Sequence, residues 1–280
     1  MVRRQRATSE PDFIYGTAWK EEETASLTRL AIAAGFRAID TANQRRHYVE
    51  AAVGEAIAGA IDDGLVERRD LFVQTKFTYE RGQDHRLPYD ADAPVGQQVE
   101  QSFDSSLEHL QTDYVDALLL HGPSSRTGLS SSDREVWEAM EDLVATDAVG
   151  AIGVSNVTAR QLELLLEEAE TKPAYVQNRC FARTGWDRRV REICAAHQVT
   201  YQGFSLLTAN TRELRTEAVA RIAERYGKTV PQIVFRFAID VGMIPLTGTT
   251  SREHMDQDLA IVDFELDEAE VETIEALVAG

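Results

Sequence analysis

Val115-Asp-Ala-Leu-Leu-Leu-His121 is an almost unbroken apolar run that ends in a histidine. A strand with one wet face alternates polar and apolar residues. A run that is apolar at nearly every position is covered on both faces, as in a parallel sheet clothed by helices. Helical spacing flanks this run, at Gln97–Leu110 before it and Arg134–Ala145 after it. Outward in both directions the pattern repeats. Ile14–Trp19, Arg37–Ala42, Leu71–Phe77, Ala151–Asn156, Tyr175–Arg179, Thr200–Ser205 and Met243–Gly248 read as strands, which makes eight with the first. Thr24–Ala34, Glu50–Ala60, Ala159–Ala169, Asp187–His197 and Glu217–Tyr226 carry apolar residues at three- and four-residue spacing. Val230–Val241 adds a helix before the last strand, and Glu253–Ala260 and Asp267–Val278 close the chain. Gly35 and Gly227 stand where helices stop. Eight strand–helix alternations predict an α/β fold, the (β/α)8 TIM barrel, as one domain over residues 1–280 with 1–12 flexible. The rival doubly wound sheet opens with G-x-G-x-x-G after its first strand, and the sequence has no such motif.

Composition narrows the function. The net charge is -18, from 29 basic and 47 acidic residues, which opposes phosphate backbones and anionic membranes and leaves small molecules as the expected partners. Cys180 and Cys194 have no metal-binding spacing and read as inert thiols. Arg3, Arg4 and Arg6 are not followed by an apolar stretch, so no signal peptide is expected, and no run reaches the length of a membrane span. These readings predict a cytoplasmic protein without a metal.

Active residues of such barrels sit at the carboxyl ends of the strands. Read there, the strands end in Asp40, Lys76, His121, Ser155–Asn156, Gln177–Asn178, Phe204–Ser205 and Thr247–Gly248. Asp, Lys and His converging from successive strands suit proton transfer at a carbonyl. A buried lysine paired with aspartate lowers the pKa of a neighbouring phenol, a neutral imidazole orients the carbonyl oxygen, and Phe204 offers a face for a nicotinamide. Thr78–Gly96, with Gly82, Pro88 and Pro94, is long enough to act as a lid or a binding loop.

Five short motifs in order strengthen this reading: Gly35-Phe-Arg-Ala-Ile-Asp-Thr-Ala42, Leu71-Phe-Val-Gln-Thr-Lys76, Leu119-Leu-His-Gly-Pro123, Gly153-Val-Ser-Asn156 and Val176-Gln-Asn178. Together they resemble the aldo-keto reductases over nearly the whole chain, in a divergent, bacterial-type form. The resemblance implies NADPH-dependent reduction of an aldehyde or ketone, with NADH left possible. It implies catalytic roles for Asp40, Lys76 and His121, completed by a tyrosine. It places the cofactor against Gly16, Thr17, Ser155, Asn156, Gln177, Phe204, Ser205 and Leu206, and against Gly248, Thr249, Thr250, His254, Gln257 and Asp258.

The pattern departs from the family in three places. Arg45 stands five residues after Asp40, where the tyrosine is common; counting back from Val53-Gly54 puts His47 in that slot, with Tyr48 beside it. Tyr48 is taken as the donor, with His47 its rival and a packing role for Tyr48 as the plain alternative. Thr250, Ser251, His254 and Asp258 replace residues that resemble a clamp for the 2′-phosphate, so Arg252 is the remaining full cation there. No long loop follows the last helix in the sequence given, so the substrate-closing loop of many relatives is expected to be missing. Two other classes stay open: a redox-silent binding protein, and a dehydratase or isomerase on the same barrel.

Overall fold

Each apolar run forms a strand that pairs in parallel with the next, and the last returns to the first. The strands are β1 (Ile14–Gly16), β2 (Ala38–Asp40), β3 (Phe72–Phe77), β4 (Val115–Leu120), β5 (Val149–Ser155), β6 (Tyr175–Arg179), β7 (Thr200–Phe204) and β8 (Met243–Thr247), in one closed barrel. This computed structural model describes residues 11–277. The flexible stretch expected over 1–12 therefore lies, for residues 1–10, outside the described residues.

The helices are α1 (Thr24–Ala34), α2 (Glu50–Asp62), α3 (Val95–Leu110), α4 (Ser131–Ala145), α5 (Ala159–Glu168), α6 (Arg188–Ala196), α7 (Glu217–Tyr226), α8 (Val230–Asp240), α9 (Arg252–Leu259) and α10 (Glu268–Glu275). Helix starts are set by capping boxes: Ser130 with Asp133, Thr158 with Gln161, Thr229 with Gln232, and Asp267 with Glu270. The first of these starts α4 three residues before the apolar periodicity does. Gly35, at φ 121°, closes α1 in a conformation that L side chains rarely adopt. Gly54 lets α2 lie against α3, because a Cβ there would stand 2.0 Å from the His109 carbonyl oxygen. None of the described helices is long and apolar enough to cross a membrane.

The barrel lumen has two layers of unlike chemistry. Ile14, Ala38, Phe72, Ala117 and Leu119 form an apolar plug, with Tyr175, Ile244 and Leu246 packed on it. Register then places Gln74 beside Asp40, and Gln177 and Gln202 side by side on β6 and β7. These three glutamines are almost wholly buried, and they bond to one another across the barrel. Gln74 Nε2 donates to Gln202 Oε1 at 2.9 Å, Gln202 Nε2 returns a bond to Gln74 Oε1 at 3.0 Å, and Gln177 Nε2 reaches Gln202 Oε1 at 3.0 Å. A buried polar layer survives only when its groups satisfy one another.

Residues 78–96 are fastened to the barrel. Tyr89 is buried against Phe77, with ring centroids 5.7 Å apart, and donates its hydroxyl proton to the Thr78 carbonyl at 2.8 Å. Tyr79 donates to Asp133 Oδ1 at 2.8 Å, and Arg81 Nη2 donates to the Pro123 carbonyl at 2.6 Å. The cysteines are free and buried, and burial pushes both thiols up to about 12.

Candidate active site

Two side chains define the centre. Lys76 ends β3 inside the barrel, 1% exposed, where bringing an ammonium out of water is costly without a partner. Its Nζ donates to Asp40 Oδ1 at 2.5 Å and to the Thr41 carbonyl at 2.9 Å. The same Asp40 oxygen accepts Gln74 Nε2 at 2.5 Å and Gln177 Nε2 at 2.9 Å. Three donors on one oxygen fix where the negative charge sits. Burial lowers the Lys76 pKa, while Asp40 and Glu50 oppose the shift.

Tyr48 stands over this pair. Lys76 Nζ lies 5.5 Å from its ring centroid, and the ring meets His121 edge-on at 6.0 Å and 73°. Burial and the charge of Asp40 raise the phenol's pKa. Against the expectation that Lys76 lowers it, desolvation is the larger cause here and the Asp40 carboxylate adds to it. The phenol therefore rests protonated. His121 has Nδ1 2.7 Å from Thr78 Oγ1, and its backbone N–H donates to the Phe77 carbonyl at 2.9 Å. Burial, then the charges of Lys76 and His47, bring its pKa down to about 3, so the ring is neutral near pH 7.

His47 lies differently. Its ring stacks on Trp19 at 3.6 Å and 30°, and its carbonyl accepts the Trp19 N–H at 2.8 Å. Burial and the charge of Arg46 lower its pKa. Of the adjacent pair, Tyr48 is the one brought to Lys76 and His121.

A cavity of about 830 Å³ runs from this centre across the carboxyl ends of the strands, a size suited to a cofactor with substrate. Asp40, Tyr48 and His121 line it, with Lys76 just beneath. So do Gly16, Ser155, Asn156, Gln177, Phe204, Ser205 and Leu206, and at the far end Gly248, Thr249, His254, Gln257 and Asp258. Two residues expected there are not in its wall. Thr17 is fully buried, and its Oγ1 donates to the Asp40 carbonyl at 2.9 Å, so it fastens β1 to β2. Thr250 is exposed beside the cavity. Arg252, expected as the remaining cation, pairs with Asp256 at 2.8 Å. Asp258 is 3% exposed, and burial raises it to about 6.

Some wall residues escaped sequence reasoning. Arg179 ends β6 and lies over the Phe204 ring at 5.5 Å. A strict period of two from Gln177 points residue 179 inward and 178 outward. Asn178 instead clamps Val157, accepting its N–H at 2.9 Å and donating to its carbonyl at 2.7 Å. Behind the wall, Lys20 is buried and donates through Nζ to the Gly248 carbonyl, and Tyr15 donates to the Thr249 carbonyl at 3.0 Å. No local pattern marks Lys20, because its partner is 228 residues away.

A buried Asp–Lys pair beside a phenol and a neutral imidazole, in the mouth of a (β/α)8 barrel, is a proton-transfer site opening on a long cavity. That is the design of a barrel oxidoreductase. The model of the Aldo/keto reductase family matches residues 13–279, and the chain belongs to that family as an NAD(P)H-dependent oxidoreductase. It is 33% identical to D-galacturonate reductase of Fragaria ananassa, over 92% of this chain and 82% of that protein. It is 28% identical to glyoxal reductase of Bacillus subtilis, over 91% of this chain and 83% of the relative. An aldo-keto reductase of the silkworm, Bombyx mori, solved in complex with NADPH, superposes with a TM-score of 0.83 at 26% identity, covering 97% of this chain and 85% of that one.

Proposed function

We propose that this protein reduces an aldehyde or ketone to its alcohol with NADPH, Tyr48 giving the proton to the carbonyl oxygen. The observation that carries the reading is the placement of Tyr48 between Lys76 and His121 on one cavity wall. Bound NADPH supplies the hydride. The remaining work falls to side chains. A neutral His121 holds the carbonyl oxygen near the Tyr48 hydroxyl. Tyr48, protonated at rest, releases its proton as negative charge builds on that oxygen. Lys76 then offsets the charge left on the phenol, and Asp40 with its glutamine donors keeps Lys76 in place.

The cavity's chemistry fits the cofactor. Phe204 presents an aromatic face, and Ser155, Asn156 and the amide oxygen of Gln177 supply polar groups for a carboxamide. The amino end of α9, capped by Ser251, suits phosphate. The test is a titration with NADPH and NADH followed by tryptophan fluorescence. Trp19, which is 67% exposed and lines the cavity, reports occupancy, whereas Trp137 and Trp186 are buried. Saturable quenching that Trp19→Phe abolishes, together with aldehyde-dependent oxidation of NADPH, is expected. Quenching without turnover of any carbonyl would favour the redox-silent reading instead.

A further inference from the structure

A second cavity, of about 440 Å³, shares Trp19, His47 and Tyr48 with the first, so the two adjoin at Tyr48. Its wall is built mainly from the turn between β2 and α2, where the His47 and Tyr48 N–H groups both donate to the Gln44 carbonyl, at 3.3 and 3.1 Å. That turn concentrates polar atoms that are buried and lack a hydrogen-bond partner among the described residues: Asn43 Oδ1, Gln44 Oε1, Arg45 Nε and His47 Nδ1. Asn43 is 1% and Gln44 7% exposed. Such atoms are costly to leave unpaired, and four in one short turn mark a surface shaped for a polar guest.

The guest's charge follows from the ion pairs. Glu50, in the same wall, is engaged by Thr75 and by His109 Nδ1 at 3.0 Å, and Arg86 is held by Asp84 at 2.5 Å. Arg45 and Arg46 form no ion pair with a described residue. The exposed Glu21 and Glu22 line the cavity without reaching either arginine. Two adjacent guanidinium groups, one with a buried N–H lacking an acceptor among the described residues, thus share one cavity wall in a chain of net charge -18. Guanidinium recognises carboxylate and phosphate alike.

Resting on the reductase reading, we infer that the carbonyl substrate carries an anionic group, a carboxylate or a phosphate, which Arg45 and Arg46 receive in this second cavity while the carbonyl lies at Tyr48.

Two matched pairs test this: butanal against 4-oxobutanoate, and glyceraldehyde against glyceraldehyde 3-phosphate, each reduced with NADPH. In at least one pair the anionic member is expected to have a kcat/KM higher by about tenfold or more, the scale of a hydrogen bond to a charged group. Whichever pair shows the larger ratio identifies the anion. Arg45→Gln, and separately Arg46→Gln, should raise KM for the anionic member, leave its kcat, and leave the neutral member untouched. The neutral substrate thus doubles as the control for folding. Neutral aldehydes reduced as well as both anionic ones, or variants that weaken both kinds equally, would overturn the substrate class while leaving the reductase intact. Succinate, titrated against Trp19 fluorescence, needs no turnover. Inorganic phosphate is titrated in the same way; quenching by either anion that Arg45→Gln abolishes supports the anion site, and absence of quenching by both in the wild type overturns it. No oxidation of NADPH by any of the four aldehydes would instead sink the reductase reading.

Discussion

The two ends of the main cavity are built on opposite principles. On the β2–β4 side, Asp40 and Lys76 are 3% and 1% exposed, rise from strands, and are joined by one hydrogen bond, while Gln74 and Gln177 donate to Asp40 and the Thr41 carbonyl accepts from Lys76. On the β8–α9 side, Gly248, Thr250, Arg252 and His254 are exposed; Arg252 pairs with Asp256 on its own helix, and the side-chain bonds within the loop are long, His254 Nδ1 to Thr249 Oγ1 at 3.4 Å and Thr249 N to Thr247 Oγ1 at the same distance. Charges inside a barrel act through little water and keep their geometry by packing, whereas those on an exposed loop are screened and free to adjust. The contrast teaches where changes are tolerated. Chemistry suits the first end and adjustable cofactor selectivity the second.

The largest expected effect breaks the rigid end. Lys76→Met should reduce kcat for a test aldehyde by about 10³-fold or more, towards the upper range of general acid catalysis, while the far-ultraviolet circular dichroism stays native. Asp40 would keep Gln74 and Gln177 as donors, which is why the fold is expected to survive. Full activity in the folded variant would remove Lys76 from the chemistry. Next comes Tyr48→Phe, expected to lower kcat by about a hundredfold with NADPH affinity nearly unchanged. His47→Ala should act less and chiefly on KM, because its ring is engaged with Trp19. The opposite ranking would make His47 the donor.

Effects at the loop end should be smaller and confined to binding. His254→Arg is expected to tighten NADPH by about tenfold and barely alter NADH, since one charge-assisted contact to the 2′-phosphate is gained. Equal shifts for both cofactors would place residue 254 away from that phosphate. The smallest effect sharpens the comparison through pH. Asp258 is raised to about 6, so it is neutral below that pH and negative above it. Its ionisation adds a negative charge to the end proposed to hold phosphates, and NADPH affinity should fall as pH rises through 6. Asp258→Asn should bind NADPH a few-fold tighter at about pH 8, where the lost charge is worth roughly 1 kcal/mol or less, and only marginally tighter at about pH 5. A parallel gain at both values would assign the effect to packing rather than charge. His121, at about 3, should contribute no inflection to the profile of kcat/KM between about pH 5 and 9.

How much could be read in advance differs between the same two ends. The strands were legible because parallel strands buried on both faces leave continuous apolar runs, and α1 and α7 match their expected bounds because their apolar spacing and glycine stops are local signals. Residues 78–96, read as a lid or a binding loop, are fastened to the barrel. Their anchors, Asp133 and the Pro123 carbonyl, lie beyond any local window. The cavity wall was legible as far as strand ends reach, but not the placing of Thr17, whose hydroxyl turns inward to the Asp40 carbonyl.

The sequence by itself determined the barrel and the presence of Asp40, Lys76 and His121 at its mouth, because a strand's end and its period of two are properties of a few consecutive residues. Only the tertiary structure sets the surroundings of His47 and Tyr48 apart. A turn has no fixed periodicity, so their environments depend on what arrives from elsewhere: Trp19 takes the imidazole, while Lys76 and His121 receive the phenol. It alone, too, made a site floor of Gln74, Gln177 and Gln202. Residues 128 apart in the chain meet there because closing the barrel turns strands from far along the sequence into neighbours across its lumen.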